Sequence, residues 1–209
     1  MFRRTLVLGA IALILPAAGW TANVKVRVEG KTRTIFAPAE RSVSAGNALE
    51  ALQAAAGVGE FYFHVTQTSF GPYVDQVGLY LGAGSTGWVY KVNGVSPPVG
   101  ADQYVLKAGD RVLWYWATFG STGGPSTLEL VRSGTNCYRV YSVDDAGTRK
   151  AATGAVLHVG SKRTVDTRRS ARNVHARGGT EAAVGCVGKH RGLLVRATMD
   201  GAVRSNALP

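Results

Sequence analysis

The hydrophobic pattern at the start of the first half is that of a β-hairpin. Residues 24–29 alternate a valine with a charged residue, which is the period-two pattern of a half-buried strand. Gly30 begins a turn, and residues 32–36 are expected to return as the partner strand. The sequence therefore predicts that the fold begins with two antiparallel strands.

A helical pattern follows this hairpin. Ser44 is a suitable N-cap for a helix over residues 45–56, because its hydroxyl can accept a hydrogen bond from a free backbone N–H. Gly57 and Gly59 are expected to end the helix. Its apolar stripe, at helical spacing, consists of Ala45, Leu49, Leu52 and Ala56. This stripe predicts a helix that packs on a sheet.

Strand-like segments complete the first half. They cover residues 61–66, 76–81, 88–92, 104–106 and 111–117. A hairpin, one helix and further strands in this order favour an α+β domain of the β-grasp type.

The second half has short strands at regular spacing. They are predicted at residues 127–132, 138–143, 155–159 and 193–198, with turns at 144–147 and 200–201. This spacing predicts a small all-β sandwich, of immunoglobulin-like or prealbumin-like type. Cys137 and Cys186 are the two cysteines of the chain, and we expect a disulfide between them.

The first nineteen residues have the layout of a secretory signal peptide. Arg3 and Arg4 precede an apolar run at 6–15, which is too short to span the roughly 30 Å of a bilayer core, and small residues follow at 17–19. We predict a signal peptide over residues 1–19, with an uncleaved N-terminal anchor as the alternative. Either reading predicts an extracytoplasmic protein, secreted or at the cell surface. If the signal peptide is cleaved, no transmembrane helix is expected in the mature protein.

The positive charge of the chain is concentrated in its second half. The formal charge is +11. Residues 23–118 hold eight basic and seven acidic residues, whereas residues 126–209 hold fourteen basic and six acidic ones, and residues 119–125 read as a Gly/Ser/Pro linker between two domains. A nucleic-acid partner is not expected, since the chain is predicted to be exported and has no recognition helix.

One segment of the second domain is strongly basic. It contains Lys162, Arg163, Arg168, Arg169, Arg172 and Arg177. Such charges protect sheet edges from pairing, which is one interpretation. The other is contact with an anionic envelope polymer or surface.

Four motifs in the first half point to a known family. They are Val24-Lys-Val-Arg-Val-Glu-Gly30, Gly87-Trp-Val-Tyr-Lys-Val-Asn-Gly94, Gly100-Ala-Asp-Gln-Tyr-Val-Leu-Lys-Ala-Gly-Asp110 and the Trp-Tyr-Trp strand at 114–116. In this order and spacing, residues 23–118 resemble the bacterial transcobalamin-like C-terminal domain family. The resemblance implies an exported ligand-binding module with cobalamin as a candidate ligand, although the large helical domain of the animal vitamin B12 carriers has no counterpart here.

Aromatic residues are the candidate ligand-binding groups. We expect Trp88 and at least one of Trp114 and Trp116 to lie in the core, whereas Tyr115 points to the opposite face and is the better surface candidate. Asn93 and Asp102 are candidate polar groups for orienting a ligand. The predicted ligand-binding residues are Tyr73, Tyr90, Asn93, Trp114, Tyr115 and Trp116.

No motif for catalysis stands out. The chain has no GxSxG or HExxH sequence, and its four histidines lack metal-ligand spacing. We therefore expect a non-catalytic protein without a metal or cofactor. It binds a small ligand, with a corrinoid as candidate, through the aromatic domain. The alternative function is a surface interaction or adhesion protein that uses its basic β-domain.

Overall fold

The computed structural model describes residues 21–121, 123–161, 165, 172–178 and 182–209, with only the backbone of Arg172. The predicted signal peptide at 1–19 lies outside the described residues, as do Lys162, Arg163, Arg168 and Arg169 of the basic segment. In the described part of the chain, no helix has both the length and the hydropathy needed to cross a bilayer.

The N-terminal half, residues 21–118, contains a single described helix and seven strands. The elements are β1 (Ala22–Glu29), β2 (Thr34–Ala45), α1 (Ala48–Gly59), β3 (Phe63–Thr68), β4 (Gly71–Val77), β5 (Tyr80–Leu81), β6 (Thr86–Val92) and β7 (Arg111–Thr118). Four strands form a sheet in the order β2-β1-β7-β6, in which β1 and β7 run parallel, and β3, β4 and β5 form a smaller sheet. The strand β6 is therefore an edge of the larger sheet.

The helix begins later than the sequence predicted. Its N-cap is Asn47, whose side chain accepts a hydrogen bond from the backbone N–H of Glu50 at 2.8 Å, while the Glu50 carboxylate accepts from the N–H of Gly46 at 2.7 Å. The predicted N-cap Ser44 instead lies in β2, which continues to Ala45. This pair of hydrogen bonds is similar to a capping box, except that Glu50 accepts from the residue before the N-cap, and the helix starts three residues after the predicted start.

Two predicted strands of the N-terminal half also need correction. Residues 104–106 do not form a strand, because Val105 makes only an isolated bridge to Asn47. The single strand predicted at 76–81 is divided between β4 and β5 by a turn in which Gly78 has a φ of 58°. A left-handed conformation of this kind ends a strand and is easiest for glycine.

One face of the four-stranded sheet packs against the helix. Leu52 and the small residues of α1 lie on Val24, Val26 and Val28 of β1. Trp114 extends from β7 to the same side, and its indole N–H donates to the carbonyl of Ala48 at 3.0 Å. The valine alternation therefore predicted the core face of β1 correctly. Of the predicted stripe, Leu52 and Ala56 are buried in α1 and Leu49 is partly buried, whereas Ala45 belongs to β2.

The C-terminal half, residues 126–209, is built from two facing sheets. Its strands are β8 (Thr127–Gly134), β9 (Cys137–Val143), β10 (Arg149–Ala151), β11 (Val156–Gly160), β12 (Arg172–His175), β13 (Ala183–Cys186), β14 (Leu194–Thr198) and β15 (Ala207–Leu208). One sheet contains β8, β9, β10 and β13, and the other has the order β12-β11-β14-β15. The four strands that the sequence predicted are present, and the predicted disulfide between Cys137 and Cys186 is confirmed. The predicted α+β fold class with a β-sandwich-like arrangement is confirmed.

The second face of the N-terminal sheet is covered by the C-terminal half. Arg27 and Glu29, which alternate with the core valines, are only 4% and 1% exposed. An Nη1–H of Arg27 donates to the carbonyl of Arg204 at 2.6 Å, and the ammonium of Lys91 donates to the carbonyl of Asp144 at 2.8 Å. The prediction of a half-buried β1 is therefore wrong for the end of this strand, which is buried on both faces.

Candidate functional site

An aromatic cavity of about 330 Å³ lies at the β6 edge of the four-stranded sheet. Strands β4, β6 and β7 supply five of its aromatic rings, Phe119 directly after β7 supplies a sixth, and the loop between β6 and β7 supplies smaller residues. We name this space the aromatic cavity. Its lining comprises Pro72, Tyr73, Val74, Trp88, Val89, Tyr90, Ser96, Pro97, Gly100, Ala101, Trp114, Tyr115, Phe119 and Asp145.

Two stacked rings form one wall of the aromatic cavity. The rings of Tyr90 and Trp114 have centroids 5.3 Å apart and lie at an angle of 29°, and Tyr104 meets Tyr90 edge-on. The hydroxyl of Tyr90 donates to the carbonyl of Val99 at 2.8 Å. Because of burial, and then the nearby Tyr104 and Asp102, the pKa of Tyr90 rises to about 12. Tyr90 is therefore uncharged at neutral pH. Its ring is held by the contacts with Trp114 and Tyr104 and by the hydrogen bond of its hydroxyl to Val99.

Tyr73 is the most accessible of the predicted rings in the cavity. It is 43% exposed, and its hydroxyl lies directly over Gly87 on β6. A Cβ atom at position 87 would overlap that hydroxyl, so the absence of a side chain there lets Tyr73 lie close to the edge strand. Glycine in a strand often marks such a close approach.

The prediction that Tyr115 lies on the surface is wrong. This residue is 2% exposed and faces the C-terminal half, where the ammonium of Lys91 lies 5.9 Å from the ring centroid. Burial, and then the charge of Asp145, raise the pKa of Tyr115. The alternation of side chains along β7 was interpreted correctly, but the face on which Tyr115 lies is covered by the second half of the chain rather than by water.

Asp145, a residue of the C-terminal half, lines the aromatic cavity. Its backbone carbonyl accepts from the N–H of Ser96 at 2.8 Å, and its carboxylate accepts from the Ser96 hydroxyl at 3.0 Å. The same carboxylate lies 3.2 Å from the ammonium of Lys91. The sequence predicted a turn at residues 144–147, and no local pattern indicated that this turn reaches the loop after β6.

Two predicted ligand residues lie away from the aromatic cavity. Asn93 sits in the turn after β6, where its side chain donates to the Asp110 carboxylate at 2.8 Å and accepts from the N–H of Arg111 at 2.9 Å. Trp116 packs against Trp88 and Tyr80, with ring centroids 5.8 Å apart in each case. Asn93 thus orders a turn, and Trp116 extends the aromatic core. Trp88 is 2% exposed, as predicted for a core residue.

The predicted polar residue Asp102 lies behind the wall of the cavity. Its Oδ1 atom is buried and has no hydrogen-bond partner among the described residues, and it packs close to Gly100, which lines the cavity. In the described part of the chain, no group of three or more His, Cys, Asp or Glu side chains is placed to hold a metal ion.

A family match covers the region of the aromatic cavity. Residues 45–118 match a domain of unknown function, DUF4430. The matched span includes α1, the five strands β3 to β7 that follow it, and all six predicted ligand residues. Since the family description names no ligand, the resemblance to the transcobalamin-like family stays a prediction.

Comparisons with individual proteins add little about the ligand. No curated protein matches the chain. Among solved structures, the chain is similar to a presumed metal-binding protein from Ruminococcus gnavus ATCC 29149, with 16% sequence identity and a TM-score of 0.36. The alignment covers 46% of this chain and 95% of that one.

Proposed function

We propose that this protein is an exported, non-catalytic binding protein that holds an apolar ring of a small ligand in the aromatic cavity. The observation that carries the proposal is the meeting of four predicted ligand residues, Tyr73, Tyr90, Trp114 and Tyr115, around one open space. Ligand sites are typically concave and mostly apolar, with a few polar groups that orient the ligand. Here Asp145 and Ser96 provide those polar groups.

The size of the cavity limits the ligand. At about 330 Å³, the cavity lies near the lower end of the roughly 300–1,000 Å³ of typical small-molecule sites. It matches a ligand with one or two rings, or one end of a larger molecule. A corrinoid would insert only part of its structure, such as its nucleotide base, and cobalamin is the first large ligand to test.

Export is supported by two independent features. The apolar run at 6–15 predicts a signal peptide, and the disulfide between Cys137 and Cys186 is of the kind that persists in oxidising compartments. We therefore propose an extracytoplasmic location for the binding function.

Titration with ring-containing ligands tests the proposal. Trp88 and Trp114 line the aromatic cavity, so a bound ring should quench their fluorescence. We expect saturable quenching by cobalamin or by a member of a panel of one- and two-ring compounds. Tyr73→Ala should raise the Kd roughly two- to tenfold, which corresponds to the 0.5–1.5 kcal/mol of an aromatic pair.

Tyr62→Ala is the matched control. Tyr62 is 58% exposed and does not line the aromatic cavity, so this variant should bind like the unmodified protein. Absence of saturable quenching across the panel would refute the proposal. An equal loss of affinity in Tyr62→Ala and Tyr73→Ala would also count against the assigned site.

A further inference from the structure

A second cavity lies between the two halves of the chain. It has a volume of about 430 Å³ and is lined by the face of the N-terminal sheet opposite to α1 and by strands β8 and β9. We name it the charged cavity. Its charged lining residues are Arg27, Glu40, Lys91, Arg111, Glu129 and Arg149. Four cationic side chains therefore face two carboxylates.

Both carboxylates of the charged cavity are already engaged. Glu40 accepts two hydrogen bonds from the guanidinium of Arg111, each at 2.8 Å. Glu129 lies 2.7 Å from Nε of Arg149 and 3.6 Å from Nη1 of Arg111. Both carboxylates are therefore already paired with arginines and are not available to bind a further cation in the cavity.

Arg27 has an unsatisfied donor in this cavity. Its side chain is 5% exposed, and its Nε atom has no hydrogen-bond partner among the described residues. An oxygen of the Glu40 carboxylate is 4.0 Å from this Nε, which is beyond hydrogen-bond distance. Nη1 of Arg27 is engaged with Glu29 and with the carbonyl of Arg204, whereas Nε is the buried nitrogen of this guanidinium that lacks a partner among the described residues.

The other polar groups of the lining have partners. Asn206 donates to the carbonyl of Leu130 and accepts from its N–H, and the hydroxyl of Thr127 lies 3.4 Å from the carbonyl of Val143. A buried donor without a partner is uncommon and costs free energy, unless an ion or water satisfies it. With the ion-pair partners of the lining included, six cations meet four carboxylates, because Glu29 is shared by Arg27, Arg196 and Arg204, and Asp145 pairs with Lys91. This surplus of positive charge favours an anion over a neutral molecule.

We propose that the charged cavity binds a small oxyanion, either inorganic phosphate or the carboxylate of a small organic acid. The Nε–H of Arg27 donates to an oxygen of the anion, and Arg111 and Arg149, which also line the cavity, provide further positive charge. Guanidinium N–H groups match oxyanions in geometry and charge. This site is separate from the aromatic cavity and does not depend on the ligand proposed there.

Nuclear magnetic resonance of the arginine Nε–H groups tests this proposal directly. Phosphate and acetate are added separately at constant ionic strength, with chloride as the reference anion. We expect the Arg27 Nε–H signal to shift saturably with phosphate or acetate and to stay unchanged with chloride. The signal is identified by its absence in Arg27→Lys. If that variant does not fold, scalar couplings from the Arg27 backbone amide give the assignment.

Two exposed arginines provide a matched pair of variants. Arg149→Gln removes one charge at the cavity and should raise the Kd of the anion roughly two- to fivefold, the effect of an exposed ion pair. Arg139→Gln removes the same charge from an exposed position that does not line the cavity, and it should leave the Kd unchanged. The relative Kd values of phosphate and acetate identify which source the site prefers.

Three results would overturn the proposal. The first is an Arg27 signal that responds to neither anion, which would mean that water fills the cavity. The second is an equal shift with chloride, which would indicate ionic screening. The third is an equal loss of affinity in Arg139→Gln and Arg149→Gln, which would indicate nonspecific attraction to a basic protein.

Discussion

Replacement of Glu29 by glutamine tests the interface between the two halves of the chain. Glu29 is 1% exposed and accepts hydrogen bonds from Arg27 at 3.0 Å, Thr34 at 3.0 Å, Arg204 at 3.3 Å and also from Arg196. A glutamine of the same size keeps one acceptor oxygen but turns an amide donor towards guanidinium donors. The buried guanidinium of Arg27 then lacks its nearest carboxylate. Breaking a buried ion pair in this way costs about 3–5 kcal/mol.

The loss of stability should depend on pH. Burial by itself would raise the pKa of Glu29, but the charges of Arg196, Arg27 and Arg204 outweigh burial and lower this pKa below its ordinary value of 4.5. A lowered pKa in the folded state means that the carboxylate stabilises the protein fully above the pKa of the unfolded chain. This stabilisation is lost as the pH falls through the lower pKa of the folded state.

Urea unfolding of the unmodified protein and Glu29→Gln, at neutral pH and at several acidic pH values, measures this effect. We expect a difference of about 3–5 kcal/mol at pH 7 that becomes smaller below pH 4.5. Glu60→Gln makes the same chemical change at an exposed residue and should alter the free energy of unfolding by less than about 0.5 kcal/mol. A difference below about 1 kcal/mol for Glu29→Gln, or one that does not change with pH, would refute the reasoning.

Three further variants test local features. Gly87→Ala should displace the ring of Tyr73 and raise the Kd of the ligand in the aromatic cavity, while the free energy of unfolding changes by less than about 1 kcal/mol; unchanged affinity in the same fluorescence titration would contradict the described contact. Asn47→Ala should lose about 1 kcal/mol in urea unfolding and Asn47→Asp much less, because only alanine removes the N-cap acceptor. The double variant Cys137→Ala, Cys186→Ala should lose about 4 kcal/mol for a loop closed across a separation of 49 residues; a loss below 1 kcal/mol in urea would contradict this.

The sequence predicted those features that depend on local periodicity. The valine alternation of β1 and the apolar stripe near α1 gave the correct element types, since each pattern reports one buried face. The exact start of α1 was harder to predict, because Ser44 and Asn47 are both good N-caps. The deciding signal was Glu50, which lies three residues after Asn47 at the spacing of a capping box and binds the backbone N–H of Gly46.

The candidate site was predicted only in part, because it depends on contacts between distant segments. Trp114 and Tyr90 were identified from the aromatic strands of the N-terminal half. Tyr115 was assigned to the surface because alternation distinguishes the two faces of a strand but does not show what covers the second face. Asp145 was missed as a site residue for the same reason, since its approach to Ser96 spans 49 residues of chain.

The parallel pairing of β1 with β7 has a consequence for the order of folding. Residues Lys25–Glu29 pair with Arg111–Tyr115, so the larger sheet cannot form until the 81 intervening residues, 30–110, are present. The face of β1 that carries Arg27 and Glu29 is covered later still, because its partner Arg204 lies near the end of the sequence. During that interval this face is charged rather than apolar, and water solvates it well. The incomplete chain therefore presents a surface that resists aggregation, and the same charges become an internal network once the C-terminal half is in place.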